Sequence, residues 1–220
     1  MDSPPKIAII GAGNVGGALG RSLSRTGYRV VFGVREPHAA KTAALLVDCG
    51  PLASADSVTS AVRAGSVVIL ATPWPVTEEI LRSAGDFTGK VLIDCTNPLK
   101  VTPVVGLELA LGYSDSGGES VARWSRCERV VKAFNTYGWE NFANSHYPNA
   151  SGLLPLMFLA SDDESAKATV AELAQAIGFE PFDAGGLRRA RELEPLALLW
   201  IRAAMAGSRS PHFTWARLRR

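Results

Sequence analysis

The first residues whose types and spacing could do chemistry are glycines near the start of the chain. They belong to a GxGxxG pattern made of Gly11, Ala12, Gly13, Asn14, Val15 and Gly16. The pattern follows an apolar run of strand length and opens an amphipathic stretch, which is the context of a dinucleotide site. There the first glycine allows a tight turn, the second lets the backbone approach a pyrophosphate, and the third lets the helix pack on the sheet. Free N–H groups at the helix start hold the phosphates, so we predict dinucleotide binding.

The end of the second predicted strand distinguishes between two nicotinamide cofactors. An NAD site usually has Asp or Glu there, roughly 20 residues past the fingerprint. This chain reads Gly33-Val34-Arg35-Glu36, with no carboxylate at the strand end and Arg35 19 positions after Gly16. A guanidinium matches a phosphate through charge-assisted, often bidentate hydrogen bonds. We therefore predict NADP(H), with Val34 and Arg35 at the 2′-phosphate. NAD is the alternative if the strand is longer and Glu36 reaches the ribose.

Three further strand ends carry residues that suit a ligand site. In open α/β sheets, ligands bind outside the carboxyl ends of the strands. The site residues that we predict at these ends are Ala71, Thr72, Pro73 and Trp74, then Asn97, and then Ala133 and Asn135. Trp74 between two prolines predicts a rigid corner over the cofactor. Asn97 suits the nicotinamide ribose or a carboxamide, and Asn135 would project beside the nicotinamide.

The sequence shows no arrangement typical of a catalytic side chain. It has no nucleophile elbow and no Ser/His/Asp pattern, and we interpret His146 as a surface loop histidine rather than a proton donor. The three histidines lie far apart and no CxxC pair occurs, so we predict no metal site. Hydride transfer between two bound cofactors needs orientation and close approach, and it can proceed without a protein acid or base.

The elements that must position these residues alternate between strand-length apolar runs and amphipathic helices. We predict strands at 6–10, 28–32, 66–70, 90–94, 130–134, 154–160 and 179–183. We predict helices at 14–26, 37–47, 54–64, 76–84, 119–127, 166–177 and 187–206, the last kinked or restarted at Pro195, and irregular structure at 99–118. This alternation predicts an α/β fold: a doubly wound, mostly parallel Rossmann sheet with helices on both faces and a C-terminal capping helix. We expect one domain over 1–220, with its fingerprint half at about 5–98.

Composition and charge exclude several other classes of protein. Of the 220 residues, 47% are hydrophobic and 20% charged, as in an ordinary globular protein. The net charge of +2 indicates neither a nucleic acid nor a membrane surface as partner. The chain has no run of 18 or more apolar residues, so we predict no transmembrane helix. Three cysteines without a CxxC pair favour reduced thiols in the cytoplasm.

The final helix is apolar around more than one face, which predicts a homodimer.

These motifs together resemble the NADP oxidoreductase, coenzyme F420-dependent family. The resemblance covers about residues 5–203 and rests on the fingerprint, Gly33-Val34-Arg35, Thr72-Pro73-Trp74, and the runs 132–136, 158–165 and 181–187. The family includes F420:NADP oxidoreductases and the cytosolic domains of STEAP metalloreductases. This chain departs from it at Val34, where a hydroxyl residue is frequent. The run 132–136, Lys-Ala-Phe-Asn-Thr, is more similar to the metalloreductase branch, because the F420 enzymes tend to have a histidine there.

The resemblance implies a small, usually dimeric enzyme that binds NADP(H) and passes a hydride between the nicotinamide and a deazaflavin. We therefore expect an NADP(H)-dependent oxidoreductase with F420, FMN or FAD as its second substrate. Small-molecule cofactors and a second copy of the chain are the expected partners. Two alternatives stay open. One is reduction of a small imine or carbonyl, as in pyrroline-carboxylate reductases, and the other is a non-catalytic NADP-binding sensor of redox state.

Overall fold

An eight-stranded sheet organises the computed structural model, which describes residues 4–206, 210–218 and 220. In chain order its strands are β1 (Ile7–Ile10), β2 (Val30–Gly33), β3 (Ala53–Asp56), β4 (Val67–Leu70), β5 (Val91–Asp94), β8 (Val130–Lys132), β9 (Leu156–Ala160) and β10 (Glu180–Gly185), while β6 (Leu99–Thr102) and β7 (Gly106–Leu109) form a separate antiparallel hairpin. The spatial order is β10-β9-β8-β5-β4-β1-β2-β3. Every neighbouring pair in this sheet is parallel except β8 with β9.

The strand order reverses at β1, which has β2 on one side and β4 on the other. Such a reversal opens a crevice at the carboxyl ends of the strands, and ligands of open α/β sheets bind there. The central strands are buried along their whole length, because helices cover both faces of a parallel sheet. The fingerprint starts directly after β1 and therefore lies at this crevice.

The helices cover both faces of the sheet. They are α1 (Asn14–Arg25), α2 (Ala40–Cys49), α3 (Val58–Ala64), α4 (Trp74–Ser83), α5 (Gly117–Ser125), α6 (Glu140–Ala143), α7 (Glu164–Ala176) and α8 (Ala190–Met205). Ile7 and Ile9 of β1 belong to a core with α1, α2 and α7, whereas Ala8 and Ile10 belong to a second core with α3, α4 and α5. Two-residue alternation of side chains along β1 separates the two cores. The predicted doubly wound Rossmann-type fold with a C-terminal helix is confirmed.

Three local predictions were wrong. A strand, β3, occupies the start of the predicted helix 54–64, because its backbone completes the edge of β2, as in the bond from the Val34 N–H to Asp56 O at 3.0 Å. The hairpin β6–β7 lies within the stretch expected to be irregular. Helix α8 begins at Ala190, after a 3-10 turn at Leu187–Arg189, and continues through Pro195, so the restart that we gave as one alternative to a kink there was wrong. No helix in the described part of the chain is long and apolar enough to span a bilayer.

Candidate functional site

The fingerprint glycines have three different surroundings. Gly11 has a φ of +99°, and a Cβ on it would lie 2.6 Å from Ala71 O, so the turn and the neighbouring strand both require glycine. A Cβ on Gly16 would lie 2.0 Å from Gly11 O, so this glycine lets α1 pack against the turn. A Cβ on Gly13 would meet nothing within 4 Å. Gly13 therefore leaves open the side from which a ligand would approach the backbone.

Helix α1 starts at this open glycine. Gly13 is the N-cap and offers no side-chain cap, and the Gly17 N–H makes the first helical bond, to Gly13 O at 2.8 Å. The N–H groups of the first turn have no partner within their helix, and together with the helix dipole they attract an anion. A depression of about 220 Å³ lies beside them, and its wall includes Asn14, Arg21 and Lys41. The fingerprint therefore fits the pyrophosphate of a dinucleotide.

The end of β2 presents a cation next to this anion site. The strand ends at Gly33, whose carbonyl accepts the Gly11 N–H at 3.2 Å, so the strand end and the fingerprint turn are joined. Val34 is half-buried, and both Arg35 and Glu36 lie beyond the strand and are exposed. The strand therefore ends before Glu36, as the NADP prediction requires, and the Arg35 guanidinium is accessible to a ligand.

The end of β4 forms the next part of the edge. The Ala71 N–H donates to Ile10 O at 2.9 Å, which places Ala71 against the fingerprint turn. Thr72 is buried, and its hydroxyl lies 2.9 Å from the Thr77 hydroxyl. Pro73 is the N-cap of α4 and Trp74 is its first residue. The Trp74 ring lies 5.2 Å from the Trp124 ring of α5, so it forms a rigid wall between α4 and α5.

Asn97 and Asn135, which follow β5 and β8, form a reciprocal pair. Asn97 Nδ2 donates to Asn135 O at 2.9 Å, and Asn135 Nδ2 donates to Asn97 Oδ1 at 3.1 Å. Asn135 Nδ2 also reaches the carbonyl of Leu193 in α8, at 3.3 Å. Asn135 is 4% exposed, and its Oδ1 has no hydrogen-bond partner. Ala133 is completely buried below this pair and supports the strand end rather than presenting a polar group.

The predicted residues therefore form two groups along one edge. The fingerprint, Ala71 and the end of β2 surround the switch point, while Asn97 and Asn135 lie at the ends of β5 and β8. From β1 to β8 there are three strand spacings, or about 14 Å. The first group offers backbone N–H groups and a cation, and the second offers amides. Such a site suits a ligand with phosphates at one end and a neutral polar ring at the other.

Sequence reasoning missed a buried ion network beside the asparagines. Lys132 Nζ lies 2.8 Å from Asp94 Oδ2, 2.8 Å from Glu194 Oε1 and 2.6 Å from Thr96 O. The side chains of the three charged residues are at most 2% exposed. Glu194 also accepts the N–H groups of Gly117 and Gly118 at 2.9 and 3.0 Å, where α5 begins. A lysine and an aspartate within otherwise apolar strand runs were the signal that could have revealed this network.

The network leaves none of its protons available for chemistry. Burial lowers the pKa of Lys132, but Asp94 and Glu194 outweigh this effect and hold the pKa above its ordinary value. All three ammonium protons are donated within the network. Burial, reinforced by Asp94, raises the pKa of the Cys95 thiol well above its ordinary value, so Cys95 is not a thiolate at neutral pH. Among residues 4–206 and 210–218 no cluster of His, Cys, Asp or Glu could hold a metal ion.

A doubly wound sheet with an open glycine fingerprint at its switch point defines a Rossmann-type dinucleotide-binding protein. The sequence model of the family described as NADP oxidoreductase coenzyme F420-dependent matches residues 6–98. This match covers the strands, helices and turns that build the fingerprint half of the sheet. It confirms, over this half of the chain, the resemblance stated from the motifs.

Curated relatives include two metalloreductases. The chain is 33% identical over 198 residues to metalloreductase STEAP3 of Rattus norvegicus, covering 89% of this chain and 37% of that protein. It is 28% identical over 197 residues to metalloreductase STEAP2 of Homo sapiens, covering 87% of this chain and 36% of that protein. The chain thus spans little more than a third of the length of these relatives.

Solved structures share the fold over nearly all of the chain. A candidate F420-dependent NADP reductase from Arthrobacter sp. FB24 superposes with a TM-score of 0.87 at 26% identity, covering 98% of this chain and 100% of that one. A reductive aminase from Aspergillus terreus, solved with NADPH, superposes with a TM-score of 0.65 at 17% identity, covering 91% of this chain and 61% of that one. At that identity the aminase shows a shared fold only.

Two glycine substitutions separate binding from folding. Gly13→Ala meets open space, so we expect the free energy of unfolding to change by no more than about 0.5 kcal/mol. We expect the same variant to lose NADPH affinity at least about tenfold, because the methyl group occupies the approach to the pyrophosphate. Gly16→Ala meets a backbone oxygen and should destabilise the fold by about 4 kcal/mol or more. Denaturant unfolding and NADPH titration measure both effects, and a Gly13→Ala protein that binds NADPH normally would contradict the placement of the pyrophosphate.

Proposed function

We propose that this protein is an NADP(H)-dependent oxidoreductase that transfers a hydride between NADP(H) and a second, flavin-like redox molecule, either the deazaflavin F420 or FMN/FAD. The observation that carries the proposal is the joined turn at the switch point. The open backbone at Gly13 belongs to one segment and the exposed Arg35 to the other, and the bond from the Gly11 N–H to Gly33 O joins the two segments. NADP has a phosphate for each of these two positions, the pyrophosphate and the 2′-phosphate, whereas NAD lacks the 2′-phosphate.

Each group of residues has a proposed task in holding NADP(H). The first-turn N–H groups of α1, together with Gly11 and Gly13, bind the pyrophosphate. Arg35 binds the 2′-phosphate, and the half-buried Val34 packs beside it, since the Val34 N–H is already donated to Asp56 O. The nicotinamide half lies along residues 71–74 and the buried Asn97–Asn135 pair, above Ala133. Bound NADPH supplies the hydride, and the chain supplies orientation and exclusion of water.

The side chains beside the proposed nicotinamide position support a reaction without a protein acid or base. Lys132 donates all its protons to fixed acceptors, and the pKa of the Cys95 thiol is raised. Asn97 and Asn135 are amides, which orient a ligand by hydrogen bonds and do not titrate. A hydride acceptor that brings its own redox ring suits such a site.

Similarity to known proteins supports a second redox molecule. The similar proteins differ in what that molecule is, since one group is named for F420 and the other for a metal. The Arthrobacter protein is a candidate F420-dependent NADP reductase, whereas the curated relatives are metalloreductases. The three cysteines are buried and unpaired, which supports the cytoplasm or another reducing compartment.

Reduction of an imine is the second candidate function, since a reductive aminase of the same fold binds NADPH.

Changing Arg35 tests the choice of cofactor. We expect Arg35→Ala to weaken NADPH binding by about 1.5–3 kcal/mol, which is the usual worth of a hydrogen bond to a charged group. NADH has no 2′-phosphate, so its affinity should barely change. Isothermal titration of both cofactors measures the difference. Glu36→Ala, one residue further along the same exposed turn, is the matched control and should leave NADPH affinity within about twofold. Equal loss of NADPH and NADH affinity in Arg35→Ala would rule out the assignment.

Oxidation of NADPH by a panel of acceptors tests the reaction itself. We expect turnover with F420, FMN or FAD, measured as loss of the NADPH absorbance band. Without an acceptor we expect only background decay. A ferric chelate with and without FAD tests metal reduction, and a cyclic imine tests the second candidate. Turnover with the imine alone would replace the proposed function by imine reduction. Tight NADPH binding without turnover in any arm would favour the redox sensor.

We also propose that the protein is a homodimer that uses α8. The buried face of α8 includes Leu193, Leu198 and Trp200, yet Leu199 is 56% and Met205 66% exposed. An open apolar groove lies between α8 and residues 138–140, and its wall includes Met205. Exposed apolar surface of this kind is typical of an interface.

Light scattering at micromolar concentration tests the dimer. We expect twice the mass of one chain for the natural protein and the mass of one chain for Leu199→Lys, because a lysine is costly to bury at the interface. Val47 of α2 is 81% exposed and lies on another face, so Val47→Lys is the matched control and should stay dimeric. A monomeric natural protein would contradict the proposal.

A further inference from the structure

The buried ions and the two asparagines form one connected network. Thr96, which precedes Asn97, bonds to the ions three times: its carbonyl accepts from Lys132, and its N–H and hydroxyl donate to Asp94 Oδ1 at 2.8 and 2.7 Å. Leu193, whose carbonyl holds Asn135 Nδ2, directly precedes Glu194. Each asparagine is therefore held beside a member of the ion network.

The backbone between Lys132 and Asn135 is strained. Phe134 has a φ of +57°, in the left-handed region that an aromatic residue rarely adopts, and its side chain is buried. Such a conformation is unfavourable and persists only where the surroundings fix it. The Phe134 N–H donates to Met157 Sδ at 3.3 Å and its ring packs edge-on against Phe142, while Lys132 and Asn135 hold the chain on either side. The strain turns the chain at the strand end and sets the place of Asn135.

One atom of this network is left without a partner. Asn135 Nδ2 makes two hydrogen bonds, whereas Asn135 Oδ1 makes none although the residue is 4% exposed. Exchanging the positions of Oδ1 and Nδ2 in the Asn135 amide does not solve this, because Oδ1 would then face the two acceptors that Nδ2 now bonds, Asn97 Oδ1 and Leu193 O. An unsatisfied buried acceptor is unfavourable, so a bound ligand with an N–H donor would recover this energy.

We propose that the Asp94–Lys132–Glu194 network holds Asn135 so that its free Oδ1 accepts an N–H of the nicotinamide carboxamide. This inference rests on the proposed function, since it concerns the nicotinamide half of NADP(H). Asn135 is the residue that contacts the ligand. Lys132 and Glu194 are positioning residues, which act only through Thr96, Leu193 and the two asparagines.

Glu194→Gln is the sharpest change to the network. Removing one partner of a buried ion pair is strongly destabilising, so Lys132→Met would endanger the fold. Glutamine keeps the size of Glu194 but puts an NH₂ group either against Lys132 and the Gly118 N–H, at the place of Oε1, or against the Gly117 N–H, at the place of Oε2. Two donors then face each other, and α8 with its Leu193 carbonyl shifts away from Asn135.

Three probes separate the two ends of the cofactor. NADP⁺ has the carboxamide, its 3-acetylpyridine analogue lacks the N–H donor, and adenosine 2′,5′-bisphosphate lacks the nicotinamide altogether. For the natural protein we expect NADP⁺ to bind about tenfold more tightly than the acetyl analogue, the ratio that 1.4 kcal/mol gives. In Glu194→Gln we expect that ratio to fall close to one, while affinity for the bisphosphate stays within about twofold.

Glu119→Gln is the matched control. Glu119 joins α5 to α8 through Arg191 at 2.7 and 2.8 Å and makes no bond to the strand ends that carry the asparagines. It should keep the ratio of the natural protein. Thr96→Val is a milder second variant, because it removes one buried hydroxyl bond to Asp94 and keeps the shape, and it should lower the ratio in the same direction.

The outcomes distinguish the inference from the proposed function. A ratio near one in the natural protein, or an unchanged ratio in both Glu194→Gln and Thr96→Val, overturns the inference while bisphosphate binding keeps the NADP assignment. An equal loss of affinity for all three probes also overturns it, since the network then supports the domain as a whole. Failure of the natural protein to bind any probe overturns the proposed function and the inference with it.

Discussion

An ammonium group held by two carboxylates inside the sheet is the interaction on which the rest of the site depends. Removing Lys132, Asp94 and Glu194 from water is costly, and the attraction between them offsets the cost only when the geometry is good and the other polar atoms are paired. Here the lysine has three acceptors, and Glu194 also caps the start of α5. One cluster therefore fixes β5, β8, α5 and α8 relative to each other.

A second constraint acts at the other end of the edge, where backbones approach closely. The turn after β1 touches β4 at Ala71 and receives α1 at Gly16, at distances that leave no room for a side chain. The two constraints differ in kind, because one is steric and the other electrostatic. Together they hold the fingerprint turn and the Asn97–Asn135 pair in fixed positions along one edge of the sheet, which is the preorganisation that the proposed hydride transfer requires.

The comparisons show how far the fold itself determines the chemistry. The same sheet occurs in a candidate F420-dependent reductase and in an NADPH-binding reductive aminase. A widely used fold does not specify a reaction, which depends on the residues at the strand ends. In this chain those residues are amides and buried ions rather than a proton donor. The second substrate therefore depends on what can lie against the nicotinamide half.

The sequence alone determined the parallel sheet, most of its helices, the glycine turn and the placement of Arg35 beyond β2, because these depend on residues that are near in the chain. It did not reveal β3, whose Ala-Ser-Ala-Asp segment has weak strand preference and forms by pairing with β2. It gave Asn97 and Asn135 as separate candidates. Only the tertiary structure decided that they pair, and that Lys132 meets Asp94 and Glu194. Those partners lie far along the chain, so no local pattern encodes which charge will meet which inside the sheet.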